Sequence, residues 1–366
     1  MAQIHLENVG HSYGGALNAL EQSDIVFEEG RTYALLGPSG CGKTTMLNII
    51  SGLLRPSQGR VLLDGRDVTD TPAVKRNIAQ VFQFPVVYRS KSVFDNLAFP
   101  LRCRGWERTR IRARVEEVAT LLGMSNRLGQ SARHLSADEK QLVSLGRGLV
   151  RDDVAALLMD EPLTVIDPQM KSDLRRRIKQ ASSRRQQTMV YVTHDQNEAM
   201  TFADEVLVMR AGRVIQQGAA DALFENPQDT YVGTFIGSPG MNFIPAERLG
   251  SGIGIGGVAL FDAQAVSTAP RDAALAIGIR PEHLGFAGQD DQGVPATLHA
   301  IQDHGNIRVI ELSIKTSEGA HEAPTVVKMK LRRNIAVPAG DIRLAFPPER
   351  LRLYADGRLV DMVAQQ

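Results

Sequence analysis

Residues 37–44 read GPSGCGKT, a match to G-x-x-x-x-G-K-[ST] set between an apolar run, TYALL, and a helical one, TMLNIISGLL. Each residue type suits a grip on a polyphosphate. Gly37, Gly40 and Gly42 let backbone N–H groups face a β-phosphate at a helix N-terminus; Lys43 adds a point charge on the β/γ oxygens, and the Thr44 hydroxyl ligates Mg²⁺. Pro38, Ser39, Cys41 and Thr45 complete the stretch expected to wrap the phosphates. Further along, AALLMDEP brings two adjacent acids to the end of an apolar run. Side chains alternate across a strand end, so the two cannot share one role. Asp160 is expected to hold magnesium through water, and Glu161 to polarise the attacking water as general base. The run MVYVTHD ends in His194, so three strand ends deliver Lys43, Asp160 with Glu161, and His194 to one sheet edge.

Such a site needs a parallel sheet. TYALLG (32–37), IAQVFQ (78–83), AALLMDE (155–161), TMVYVTH (188–194) and EVLVMRAG (205–212) read as buried strands with amphipathic helices between them. That alternation predicts an α/β fold with helices on both faces of the sheet. An arginine-rich helical insertion is expected over about 88–150. After Gly218 the pattern changes: 238–257 is Gly/Pro-rich, as a linker or a hairpin-dense entry would be, and from about 253 short runs alternate at period two, as in a small β-barrel or sandwich. Domains are expected at 1–235 and 236–366.

Composition narrows the setting. With 42 basic and 41 acidic residues, the net charge of +1 gives no field to collect nucleic acid or anionic lipid. The two cysteines, Cys41 and Cys103, are too few for a disulfide framework and fit a reducing compartment. The opening MAQIHLENVGHSYGG lacks the basic start and apolar block of a signal peptide, and no apolar run reaches the ~18–20 residues of a membrane span. Contact with a membrane is therefore expected to run through another protein.

Taken together, GPSGCGKTT, VFQ, LMDEPL, VID and VTHDQNEAM resemble the nucleotide-binding subunit of ATP-binding cassette (ABC) transporters, over residues 1 to about 235. The resemblance implies a P-loop NTPase fold with a helical subdomain, ATP and Mg²⁺ as ligands, and coupling of hydrolysis to transport. By motif, Tyr13 in HSYGG corresponds to the aromatic that stacks on adenine and His194 to the switch histidine. Gln83 corresponds to the lever that senses the membrane subunit and joins Thr44 and Asp160 around the magnesium. In the tail, FIGSPGMNF, AIGIRPEHL and LAFPPERLRLY resemble the C-terminal OB/TOBE-like β-barrel of carbohydrate and polyol importers. IAQVFQFPVVY, LAFPLR and LTVIDP resemble the ATPases of glycerol-type uptake systems, which use two different cassette proteins. This implies transmembrane permease subunits as partners, a periplasmic solute-binding protein acting indirectly, and a peripheral position on the cytoplasmic face of the bacterial inner membrane.

One motif departs from the pattern. Where the family carries LSGGQ, which acts on the ATP of the opposite protomer, this chain has Leu135, Ser136, Ala137, Asp138 and Glu139. Ser136 followed by Glu139 is an S-x-x-E capping box, and two acids suit the positive end of a helix dipole. A negative charge ~5 Å from a phosphate oxygen costs roughly 3 kcal/mol at an effective dielectric near 20, about what one or two charge-assisted hydrogen bonds return. The expectation is a weakened clamp, hence an asymmetric pair with a second ATPase that supplies an intact signature; a homodimer is the other arrangement. The D-loop segment LTVIDP, with Val165 and Ile166 ahead of Asp167, is a second departure. An ATP-binding regulatory or scaffold subunit with little turnover is the alternative reading, opposed by the presence of Glu161 and His194.

Overall fold

A computed structural model describes residues 2–15, 18–183, 186–250, 252–262, 272–288, 293–316, 324–338 and 340–360. Two compact units divide the chain, Met1–Ala220 and Asp221–Gln366.

In the first unit the apolar runs become β3 (Thr32–Leu36), β6 (Ile78–Val81), β7 (Ala156–Asp160), β8 (Met189–Thr193) and β9 (Glu205–Arg210). Every residue of β3, β7 and β8 is buried, which is why they read as unbroken apolar runs. They pair in the order β9-β3-β8-β7-β6, all parallel, and β10 (Arg213–Gly218) adds an antiparallel edge beside β9. The register aligns the carboxyl ends: Leu36 lies opposite Thr193, and Asp160 opposite Val192.

Alternate residues of these strands feed two cores. Leu157, Met159, Met189 and Tyr191 pack with the helices α2 (Val93–Arg102), α3 (Arg108–Leu121), α4 (Ala137–Leu149), α5 (Pro168–Ser183) and α6 (Gln196–Phe202), through Leu97, Val115, Leu145, Leu174 and Phe202. Ala156, Leu158, Val190 and Val192 face the other way, against α1 (Lys43–Ser51) and strands β1 (Ile4–His11), β2 (Leu20–Phe27) and β4 (Gln58–Leu63). Helices thus lie on both faces of the sheet, as expected, but on this face α1 is not alone. β1, β2 and β4, with β5 (Arg66–Asp67), form an antiparallel sheet in the order β2-β1-β4-β5, so a second sheet shares this face with α1. Only one side of that sheet is buried, and register shifts after Leu6 and Val9 break the alternation that would announce it.

Helices α2–α4 fill the arginine-rich stretch. Arg114 of α3 is buried and donates to the carbonyls of Leu149 and Val150 at the end of α4, satisfying groups that a helix terminus leaves unpaired. Among the described residues no helix is long and apolar enough to cross a membrane.

The second unit is a β-rich barrel-type domain whose strands, from Asn242–Pro245 to Arg358–Leu359, pair antiparallel around one core that includes Ile244, Ile277, Leu312, Val327 and Leu353. The Gly/Pro-rich entry is hairpin-dense, with strands Asn242–Pro245, Glu247–Leu249 and Gly252–Ile255. The helix at Thr230–Phe235, expected with the first domain, belongs to this unit. Arg280 is 1% exposed and donates to the carbonyls of Phe224, Gly233 and Ile236, while the Tyr354 hydroxyl donates to Pro227 O at 2.8 Å. These bonds bind the helical segment to the strands.

Candidate active site

Between the end of β3 and the start of α1 the chain makes the loop 37–42, and two glycines there are dictated by space. A Cβ on Gly37 would meet the Met209 carbonyl oxygen at 2.4 Å; Gly42, at φ 105°, would bring one to 2.5 Å from Ala19 O. Pro38, Ser39, Gly40 and Thr44 are exposed, Cys41, Lys43 and Thr45 buried. The first N–H groups of α1 have no intrahelical acceptor, so the loop ends on a set of donors aligned with a helix dipole. Lys43 Nζ folds back to donate to Gly37 O at 2.7 Å and Pro38 O at 2.9 Å, and lies 3.8 Å from Cys41 Sγ. Burial pushes the Cys41 thiol above its ordinary range, against the pull of the Lys43 charge.

Asp160 ends β7 and is 5% exposed. Burial raises its carboxyl above the usual range; a hydrogen bond from the Thr44 hydroxyl opposes this, Glu161 adds to it and Lys43 lowers it. Thr44 and Asp160, two of the three residues expected around a magnesium ion, thus influence each other electrostatically.

Glu161 turns away from Asp160 on a backbone at φ 45°, a left-handed conformation that costs a non-glycine residue about 1 kcal/mol or more. Its N–H is held by Val192 O at 3.0 Å. The carboxylate is the hub of the site: Oε2 accepts from Gln83 Nε2 at 3.4 Å and Thr164 Oγ1 at 3.2 Å, and His194 Nδ1 lies 3.3 Å away. Thr164 is absent from the sequence expectations; its spacing of three from Glu161 is the signal that could have found it. Tyr13, 67% exposed, approaches from β1's end, its hydroxyl 3.3 Å from Thr45 Oγ1 and its ring edge-on to His11.

Ser136, Ala137, Asp138 and Glu139 form a separate cluster. Ser136 caps α4, with Glu139 N donating to Ser136 Oγ at 3.3 Å and Ser136 N to Glu139 Oε2 at 3.0 Å. The serine hydroxyl donates to Asp138, which holds that carboxyl below its usual range, and Glu139 pairs with Arg127 at 3.1 Å. Among the described residues, no hydrogen bond or ion pair joins these four to the phosphate loop, Asp160, Glu161 or His194.

Known proteins place this geometry. The ABC transporter family profile matches residues 20–164, and a MalK OB fold domain profile matches 237–284. The sn-glycerol-3-phosphate import ATP-binding protein UgpC of Pectobacterium atrosepticum is 38% identical, the match covering 82% of this chain and 85% of that one. UgpC of Rhodopseudomonas palustris is 35% identical over 98% of this chain and 99% of its own. Among solved structures, cbiO1 from Clostridium perfringens, part of the ABC transporter complex cbiONQ, is 27% identical with a TM-score of 0.56, covering 61% of this chain and 90% of that one. With its phosphate loop, parallel sheet, helical insertion and OB-type tail, the chain belongs to the ABC transporter family as an ATP-binding subunit, an ATPase coupled to transmembrane transport.

Proposed function

We propose that this chain powers the import of sn-glycerol 3-phosphate or a closely related polyol, working on the cytoplasmic face of the inner membrane with permease subunits and, through them, a periplasmic solute-binding protein. The names of its relatives support the phosphorylated form of the cargo over free glycerol. The hub at Glu161 carries the catalytic reading: a carboxylate on a strained backbone with Gln83, Thr164 and His194 around it, one residue from the buried Asp160.

In the mechanism the residues support, the Lys43 ammonium exchanges the Gly37 and Pro38 carbonyls for β- and γ-phosphate oxygens, and the first amides of α1 bind the rest of that charge. Tyr13 offers an exposed ring for the adenine. Thr44 and Asp160 present hard oxygen atoms that would hold Mg²⁺, with Gln83 beside Glu161. When bound, magnesium would supply neutralisation of charge on the transferred phosphoryl group. Glu161 accepts the proton of the attacking water, and His194 and Gln83 hold its carboxylate in position.

The relatives lend no support to pairing with a different ATPase, so the asymmetric pair expected from the altered signature gives way to a pair of identical chains. Asp138 and Glu139 would then stand across from both nucleotides. Counting copies in the purified transporter tests this: two copies of this chain are expected, and one copy beside a second cassette protein would overturn it. For the chemistry, Glu161→Gln should leave ATP binding intact while lowering hydrolysis by about a hundredfold or more; turnover at the unmodified rate would refute the role of Glu161.

A further inference from the structure

Gln141 lies on α4, about 7.5 Å along the axis from the cap at Ser136, and has no exposed surface. Its Nε2 donates to Phe82 O at 3.3 Å and to Pro162 O at 3.0 Å. Both neighbours are carbonyls, so the amide has one sensible orientation, nitrogen toward them. The first carbonyl belongs to the peptide that leads into Gln83; the second follows Glu161 by one residue. A neutral side chain with two N–H bonds is what such a bridge requires, since a lysine would bury a charge and a serine is too short to span it. The Oε1 atom has no partner among the described residues, which marks the side chain as serving through its donors.

Gln141 also begins a polar stripe with a spacing of three. Ser144 Oγ accepts from Val86 N at 3.2 Å; Arg147 donates to Val86 O and lies 4.5 Å over the Tyr88 ring. The segment held this way, 82–88, otherwise exposes Phe84 and Val86 to solvent.

We propose that Gln141 is a positioning residue that ties α4 to the peptides beside Gln83 and Glu161, so that any displacement of α4 as nucleotide draws two protomers together moves both side chains in step. This rests on the ATPase reading above. Neither bond reaches the phosphate loop, so ATP affinity should be insulated from the tie.

The test uses the purified full chain. Gln141→Met keeps length and loses both donors; Gln141→Glu keeps shape and turns an acceptor toward two acceptors. Both should lower kcat for Mg-ATP by about tenfold or more while KM stays within about twofold. Hydrogen exchange should quicken in 82–88 and 162–166 and stay unchanged in α1. A kcat within twofold of the unmodified chain overturns the proposal, and so does faster exchange spread evenly over the first unit, which would mark a packing role only. Should both variants fail to fold, Ser144→Ala is the further arm: faster exchange at 82–88 with a smaller fall in kcat is expected, and unchanged exchange overturns the tie. An unmodified chain that hydrolyses no ATP would sink the ATPase reading instead, and the exchange comparison would still decide whether the tie exists.

Discussion

Asp160 holds its proton more tightly in the folded chain than in the unfolded one, because burial outweighs the Thr44 hydrogen bond. The consequence for stability has a definite sign. As pH rises past the ordinary 3.8, the unfolded chain releases this proton first, so the folded state loses stability until the buried carboxyl also ionises. Asp160→Asn removes it and leaves an acceptor for Thr44. The variant should melt later at pH 7.5, by about 2–4 °C for each kcal/mol recovered, with the gain shrinking as pH approaches 3.8, while ATP hydrolysis falls by about a hundredfold. Thermal melts at the two pH values check the sign; a lower midpoint at pH 7.5 would contradict it.

The helix α4 carries a conflict between folding and function. Its capping box suits a helix start, and the Ser136 hydroxyl, having one proton, gives it to Asp138 rather than to a phosphate across the interface. Asp138→Gly should therefore raise the hydrolysis rate of the purified chain by about tenfold, equivalent to about 1.4 kcal/mol in the barrier, at a cost of about 1 kcal/mol in helix stability. Rate assays on the variant beside Glu139→Gln check which acid matters; Glu139 is already engaged by Arg127 and the cap, so its change should do less. The capping box is legible from the S-x-x-E spacing, and the parallel strands from runs buried on both faces. β1 and β2 are not legible as a second sheet, because one buried face and a shifted register leave only a weak period. The site divides in the same way: the phosphate loop, Asp160 and Glu161 stand in contiguous motifs, whereas Thr164 and Gln141 gain their meaning from contacts that only folding creates.

At the scale of the molecule, the first unit closes on two cores and the second on one. In the second, Arg280 replaces hydrophobic packing with hydrogen bonds to Phe224, Gly233 and Ile236, and burial draws its pKa down to about 10. Arg280→Met strands those carbonyls and should cost about 2–4 kcal/mol, seen as faster exchange over 220–236 while ATP binding by the first unit is kept. Period-two runs make the barrel legible in the sequence; that a buried arginine, with Tyr354, fastens the preceding helices to it is not, since an arginine before a proline reads as surface. The central claim concerns the first unit: ATP binds where Lys43 leaves its loop carbonyls, and is cleaved there. The most direct measurement is steady-state hydrolysis of Mg-ATP, with bound nucleotide assayed in parallel, by the full chain and by Lys43→Ala. The account predicts that the variant loses most nucleotide binding and at least about a hundredfold in kcat/KM; equal binding and equal turnover in the two would contradict it.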